Sequence, residues 1–177
     1  MAQVSGNICI GRAVVSVGPY VTAGGAGTLV DVGHTKAPTT LAIERENFDA
    51  SSEQTPTPLE SVPSSTTYKV KVPVEEATID NYVMATGEPI ANKTGTPPAL
   101  TLRVGGPTGK KYHQIQIITA GLGATLTRTI TIWKAALMSV SEIPFAKGGE
   151  QLLEMTFNCL YDDTVATADK VMKVVDS

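Results

Sequence analysis

The stretch Thr125-Leu126-Thr127-Arg128-Thr129-Ile130-Thr131-Ile132-Trp133-Lys134-Ala135 alternates with a period of two. Leu126, Ile130 and Ile132 fall on one face, while Thr125, Thr127, Thr129, Thr131 and Trp133 fall on the other. Successive side chains of a strand point to opposite sides, so this pattern predicts a strand with one buried and one hydroxylated face. The same alternation recurs in Gln151 to Tyr161, where Leu153, Met155, Phe157, Cys159 and Tyr161 interleave with Glu154, Thr156 and Asn158. In Thr66 to Val74 it sets Tyr68, Val70, Val72 and Val74 against Lys69 and Lys71. Thr39 to Glu46 repeats it, with Leu41 and Ile43 opposing Thr40, Ala42, Glu44 and Glu46.

Working outward, Ile8 to Val17, Leu29 to Gly33, Leu100 to Val104, Tyr112 to Ala120 and Val171 to Val175 are further strand candidates, rich in β-branched residues. One segment has a helical period. In Glu75 to Thr86, Ile79, Tyr82 and Val83 stand at i, i+3 and i+4, acidic Glu75 and Glu76 lead, and Gly87 and Pro89 follow. The sum is a mainly β chain, an antiparallel β-sandwich or barrel with one flanking α-helix, in a single domain over residues 1–177. Between two of the strands lies Asn47 to Ser65, with Pro56, Pro58 and Pro63 and no Lys or Arg. It reads as a long loop, an arm that could project about 30 Å at ~3.3 Å per residue over half its length.

The 177 residues carry a formal charge of -3, with 18% charged and 42% hydrophobic residues. That composition excludes a disordered tail, and the acidic balance argues against a protein that grips phosphates with a basic face. The longest uncharged stretch, Ala13 to Val30, is broken by Gly18, Pro19, Gly24, Gly25 and Gly27, so no membrane helix is expected. Nor is a basic and apolar leader visible at Met1 to Gly11. Two cysteines, Cys9 and Cys159, do not make a disulfide framework.

The search for chemistry predicts no catalytic centre, cofactor or metal site. His34 and His113 lack Cys or His neighbours at ligand spacing. Gly105 to Lys111 is one residue short of a phosphate loop and puts Lys111 where Ser or Thr belongs, so it reads as a turn with exposed Lys110 and Lys111. Cys159 with His113 could form a nucleophile pair only if Cys159 left an apolar strand face, and a core thiol fits better. What remains is a strand-rich domain with polar faces and an acidic arm, the properties of an assembly component rather than an enzyme.

Leu29-Val30-Asp31-Val32-Gly33-His34-Thr35-Lys36-Ala37-Pro38-Thr39-Thr40-Leu41 resembles the opening of the major tail tube proteins of tailed bacteriophages. The order of elements that follows is similar: a strand, a long Pro/Ser/Glu loop, a paired strand and a helix. Thr129 to Ala135, Ile143 to Gly149 and the closing Leu152 to Asp162 resemble the family's later strands and its aspartate turn. The resemblance spans about residues 5 to 176. It implies a structural subunit, in which six copies form a ring and rings stack into a hollow conduit for DNA delivery. DNA would pass through without specific binding. It also implies tape-measure, terminator, baseplate and possibly sheath partners, and a place in the virion tail after assembly in the host bacterial cytoplasm. Some members carry an additional immunoglobulin-like domain after the region matched here.

Within that reading the lumen candidates are Glu44, Glu46, Lys69, Lys71, Thr127, Thr129, Thr131, Glu154, Thr156 and Asn158, with Lys69 and Lys71 expected to pair with Glu44 and Glu46. The inter-ring arm would present Asp49, Glu53, Leu59, Glu60 and Val62. These would dock on Lys110 and Lys111 first, or on Lys147, because acidic residues need basic partners and such pairs set register. Two alternatives stand beside it. One is a tube protein of a contractile injection or type VI secretion machine. The other is a soluble β-sandwich ligand-binding module, a class that usually displays more aromatic residues than the 5% found here.

Overall fold

A computed structural model describes residues 13–25, 27–50, 60–88, 92–105, 111–120, 127–143, 151–166 and 168–177. The strands are β1 (Ala13–Pro19), β2 (Val30–Asp31), β3 (Thr40–Ala50), β4 (Glu60–Val74), β5 (Lys93–Thr96), β6 (Ala99–Leu102), β7 (His113–Ala120), β8 (Thr127–Val140), β9 (Leu153–Cys159) and β10 (Met172–Asp176), with one helix, α1 (Ile79–Thr86), after β4. β5 and β6 form a separate hairpin. The others form one antiparallel sheet in the order β2-β1-β7-β8-β9-β4-β3, with β10 added alongside β8.

The alternation read from the sequence builds the core. Val15 and Val17, Val70, Val72 and Val74, Ile115 and Ile117, Ile132, and Leu153, Met155 and Phe157 all point inward and are buried. Their neighbours Lys69, Lys71, Glu154, Thr156 and Asn158 point outward, as the period of two requires. Cys159 closes the core at one end, and burial pushes its thiol up to about 11. His113 lies edge-on to the Phe157 ring at 5.8 Å, and burial, helped by the charge of Lys111, lowers its pKa.

A single run joins the two ends of the sheet. Val30 and Asp31 pair with Val17 and Ser16 of β1, and the Val32 N–H donates to the Val15 carbonyl at 3.0 Å. Three residues on, Thr35 bridges to Val74, and β3 then pairs along β4. Residues 31–35 turn between these two edges, and their chemistry explains the motif noted above. Asp31 Oδ1 accepts the Gly33 N–H at 2.9 Å, an Asx turn. Gly33 has φ 83°, and a Cβ there would stand 2.3 Å from the carboxyl carbon of Glu76. The positive φ favours glycine, and a side chain there would push the Glu76 carboxylate aside. The Glu76 carboxylate instead accepts the His34 N–H at 3.0 Å. Asn81, buried on α1, donates to the carbonyls of Val32 at 3.0 Å and Glu76 at 2.7 Å, tying the helix to the same turn.

That turn also shortens the helix. The sequence predicts helix from Glu75, but the Glu75 N–H donates to the His34 carbonyl at 2.8 Å, so 75–78 serve the closing run. α1 starts at Ile79 behind Thr78, whose hydroxyl accepts the Asn81 N–H at 3.2 Å, and stops at Gly87 with φ 67°. Two further expectations change. The Pro-, Gly- and Thr-rich residues 88–99 predict a loop, yet 93–96 form strand β5. The arm, expected as loop over 47–65, is strand at 47–50 and 60–65, and 51–59 lie outside the described residues.

β8 runs five residues past its expected end at Ala135. Ile115 faces Ile132 while His113 faces Ala135, so one extra residue bulges from β8 at Trp133-Lys134. The bulge swings Lys134 over the rings of Tyr112 (4.7 Å) and Tyr20 (5.5 Å) and lets Trp133 donate to the Asp169 carbonyl at 2.9 Å. Beside it the buried Asp162 Oδ1 accepts from the Thr164 hydroxyl at 2.7 Å, the Thr164 N–H at 3.0 Å and the Tyr20 hydroxyl at 3.1 Å. Burial alone would raise this carboxyl. The hydrogen bonds and the charge of Lys134 outweigh it and hold the pKa below the usual range.

Candidate functional site

The strand pairings place most of the polar positions singled out from the sequence on one surface. Opposed residues of antiparallel strands share a face. Thr40 faces Lys71, which faces Thr156, which faces Ser139. One rung along, Ala42, Lys69, Asn158 and Ala136 line up across the same four strands, and Glu44 faces Thr67. The outer face of β3-β4-β9-β8 is therefore a continuous polar surface. Lys69 Nζ meets Glu44 at 2.6 Å and Lys71 Nζ meets Glu154 at 2.8 Å, while Glu46 accepts from the Ser65 hydroxyl at 3.1 Å. The Lys69–Glu44 pair is the one expected. Lys71 instead takes Glu154, which sits diagonally across the β4–β9 ladder, closer than Glu46 three rungs away. Three carboxylates (Glu44, Glu46, Glu154) against two ammoniums leave this face with a net of one negative charge.

Thr127, Thr129 and Thr131 are not on it. They lie on the first half of β8, where the partners are β7 and β10: Thr131 faces Gln116 and Lys173, and Thr129 faces Ile118 and Val175. The bulge at Trp133-Lys134 separates this half from the half that pairs with β9. The expected lumen set thus divides between two outer surfaces, and Ser139, Ala136 and Thr40, not singled out before, join the larger one.

Both margins of the four-stranded face are open. β3 pairs only with β4, leaving its far edge without a strand partner among the described residues over 11 residues. On the opposite margin β7 pairs with β8 only as far as Ala135, so Ala136–Val140 have β9 on one side and no described strand on the other. Met138 there is exposed. Unpaired N–H and C=O groups along an edge are templates for another strand.

Beyond the last β4–β9 pair, Tyr68 with Cys159, β3 and β4 continue together as a two-stranded ribbon. Ser64 is an extra residue opposite Glu46 and Asn47, its hydroxyl donating to the Glu46 carbonyl at 3.0 Å, and the bulge accommodates Pro63 beside it. On the ribbon Phe48 faces Val62 and Ala50 faces Glu60, while Asp49 and Ser61 point the other way. Phe48 is 66% and Val62 47% exposed. Of the expected arm anchors, Val62, Asp49 and Glu60 are therefore on the ribbon, whereas Glu53 and Leu59 lie outside the described residues. Phe48 was missed because it falls just past the predicted strand, in what read as loop.

Of the expected docking lysines, Lys110 and Lys147 are outside the described residues. Lys111 lines a cavity of about 520 Å³ between β1, β2, α1 and the start of β7, whose walls are mainly apolar. Its ammonium donates to the Gly87 carbonyl, and desolvation lowers its pKa against an opposing pull from Glu88. Among the described residues, no helix is long and apolar enough to cross a membrane, and no three His, Cys, Asp or Glu side chains gather as a metal site.

No family model matches the chain, and no curated protein matches it. Among solved structures, it is similar to a chain in a cryo-EM structure of the anti-feeding prophage (AFP) baseplate, 6-fold symmetrised. The TM-score is 0.49 at 9% identity, over 99% of this chain and 97% of that one. A likeness this slight carries no argument about function.

Proposed function

We propose that this chain is the repeating subunit of a tube in a phage-tail-like particle. Copies join side by side into rings, the rings stack, and the polar face of β3-β4-β9-β8 lines a conduit for DNA. The observation that supports this most is that, among the described residues, both margins of that one face are strand edges without a strand partner. β3 of one copy would pair with Ala136–Val140 of the next. Such a contact is head-to-tail, and repeated by rotation it closes into a ring and removes every open margin of the face. Ring closure at six copies, a place in the virion, and tape-measure, terminator, baseplate and sheath partners come from the sequence resemblance. A contractile injection or type VI tube would use the same geometry.

The face suits a conduit. Its two lysines are held by carboxylates, Glu46 adds one further negative charge, and the other residues are hydroxyls, the Asn158 amide and small side chains. A passing phosphate backbone meets no free row of cations, so transit is not slowed by counterion-releasing contacts. The apolar cavity favours the other reading, a ligand-binding module, and one experiment separates the two. Purified chain examined by negative-stain electron microscopy across a concentration series is expected to form rings and hollow cylinders. A uniform monomer at every concentration would favour the binding module.

A further inference from the structure

We infer that the apolar cavity between α1 and the β1–β2 corner is the socket for the ribbon of a neighbouring copy, with Phe48 as the inserted side chain. This rests on the tube reading above and names the contact by which one ring would hold the next.

The two surfaces need each other. The Phe48–Val62 pair forms an apolar knob on a projecting ribbon, and Phe48 is the most exposed large apolar side chain among the described residues. Phe48 alone cannot be covered by its own ribbon, because its cross-strand partner Val62 is itself half-exposed. The cavity, about 520 Å³, lies in the range of sites that enclose an aromatic group, and Val17, Val30, Val83, Met84 and Tyr112 supply its apolar wall. A buried aromatic anchor in an apolar pocket is the usual centre of a protein interface.

Charge fits the same pairing. Glu60 lies on the knob's own face, one rung from Phe48, and Glu46 lies on that face on the other side. Both acidic side chains of the cavity are already engaged within the chain: Asp80 takes Lys93 at 2.6 Å, and Glu88 accepts from Asn92 and the Gly105 N–H, each at 2.8 Å. Lys111, in the cavity lining, donates to a neutral carbonyl. A carboxylate brought by a partner would add to the pull of Glu88 and offset the desolvation of that ammonium. On β3, Phe48 follows Glu44 and Glu46 on the same side of the strand, but it lies beyond the bulge at Ser64, on the ribbon that β9 no longer flanks.

The test uses the full chain with Phe48→Ser, Val30→Glu and the double variant. Both positions are exposed, Val30 at 51%, so each single variant is expected to melt as the parent does. Each should raise the concentration needed for stacking about thirtyfold, as the loss of a central anchor does. The double should cost no more than about threefold beyond either single, because both changes break one contact. In Phe48→Trp, emission should shift to the blue on stacking as the indole leaves water. Stacks forming at the parent's concentration from both single variants, or Phe48→Trp emission unchanged on stacking, would overturn the socket while leaving the tube standing. If the parent chain forms no rings or stacks at any concentration, the tube reading itself falls, and the socket with it.

Discussion

Replacing residues 47–64 by an Asn-Gly turn that joins Glu46 to Ser65 is expected to give a folded monomer that no longer stacks. The side chains removed contribute nothing to the buried core: every described residue from Asp49 inward to Asn47, and from Glu60 to Ser64, is exposed. Glu46 and Ser65 already face each other across the ladder, so a two-residue turn closes the hairpin at the existing register. Thermal melting should move by no more than about 3 °C, the scale of surface changes in a chain of this size. Stacking should weaken at least about a hundredfold, since the ribbon carries the exposed Phe48–Val62 pair and the Glu60 carboxylate. Light scattering and electron microscopy at matched concentrations read this directly. Cylinders of the parent's length from the shortened chain would remove the ribbon from any role in assembly.

The second large effect concerns the monomer. Phe157→Ala should destabilise the fold by about 3–5 kcal/mol, lowering the melting temperature by roughly 6–20 °C. Phe157 is fully buried at the centre of β9, between β4 and the second half of β8, with His113 edge-on to its ring. Its removal leaves a cavity where four elements meet, and their backbones are fixed by ladders on both sides. Phe157→Leu, which keeps most of the volume, should recover more than half of the loss. A denaturant midpoint for Phe157→Ala within error of the parent would mean that the core is not organised around β9.

How much of this was legible in the sequence depended on whether local pattern decided the outcome. Strands with one face in the core announced themselves: the alternation of Val70, Val72 and Val74 with Lys69 and Lys71, and of Met155 and Phe157 with Glu154 and Thr156, fixed both strand and face. Three things hid the rest. Bulges reset the phase, so the alternation that predicts β8 to Ala135 loses its rhythm after Trp133-Lys134, and the last five residues went unread. These five form one margin of the polar face. Strands outside the core have no buried face to pattern them, which is why 47–50 and 60–65 looked like loop and why Phe48 was overlooked. Long-range hydrogen bonds are equally silent. Nothing local in Glu75-Glu76 shows that one carboxylate will cap the His34 N–H and that the backbone beside it will start a turn rather than a helix. Asp162, too, shows its role only when Tyr20 and Thr164 are brought to it. The pairing of Lys69 with Glu44 could be expected because both lie on adjacent strands. The pairing of Lys71 with Glu154 could not be, because it requires knowing that β9 flanks β4.

In the proposed tube, copies pair through β3 and the last residues of β8. Amide hydrogen exchange, measured on the monomer and on assembled particles of the same chain, tests it most directly. Assembly is expected to slow exchange at two separate places, residues 40–46 of β3 and 136–140 of β8, as outward N–H groups gain partners. β10, whose outer edge belongs to the other surface, should change little. Assembled particles in which those two segments exchange as fast as in the monomer, or in which β10 alone becomes protected, would contradict it.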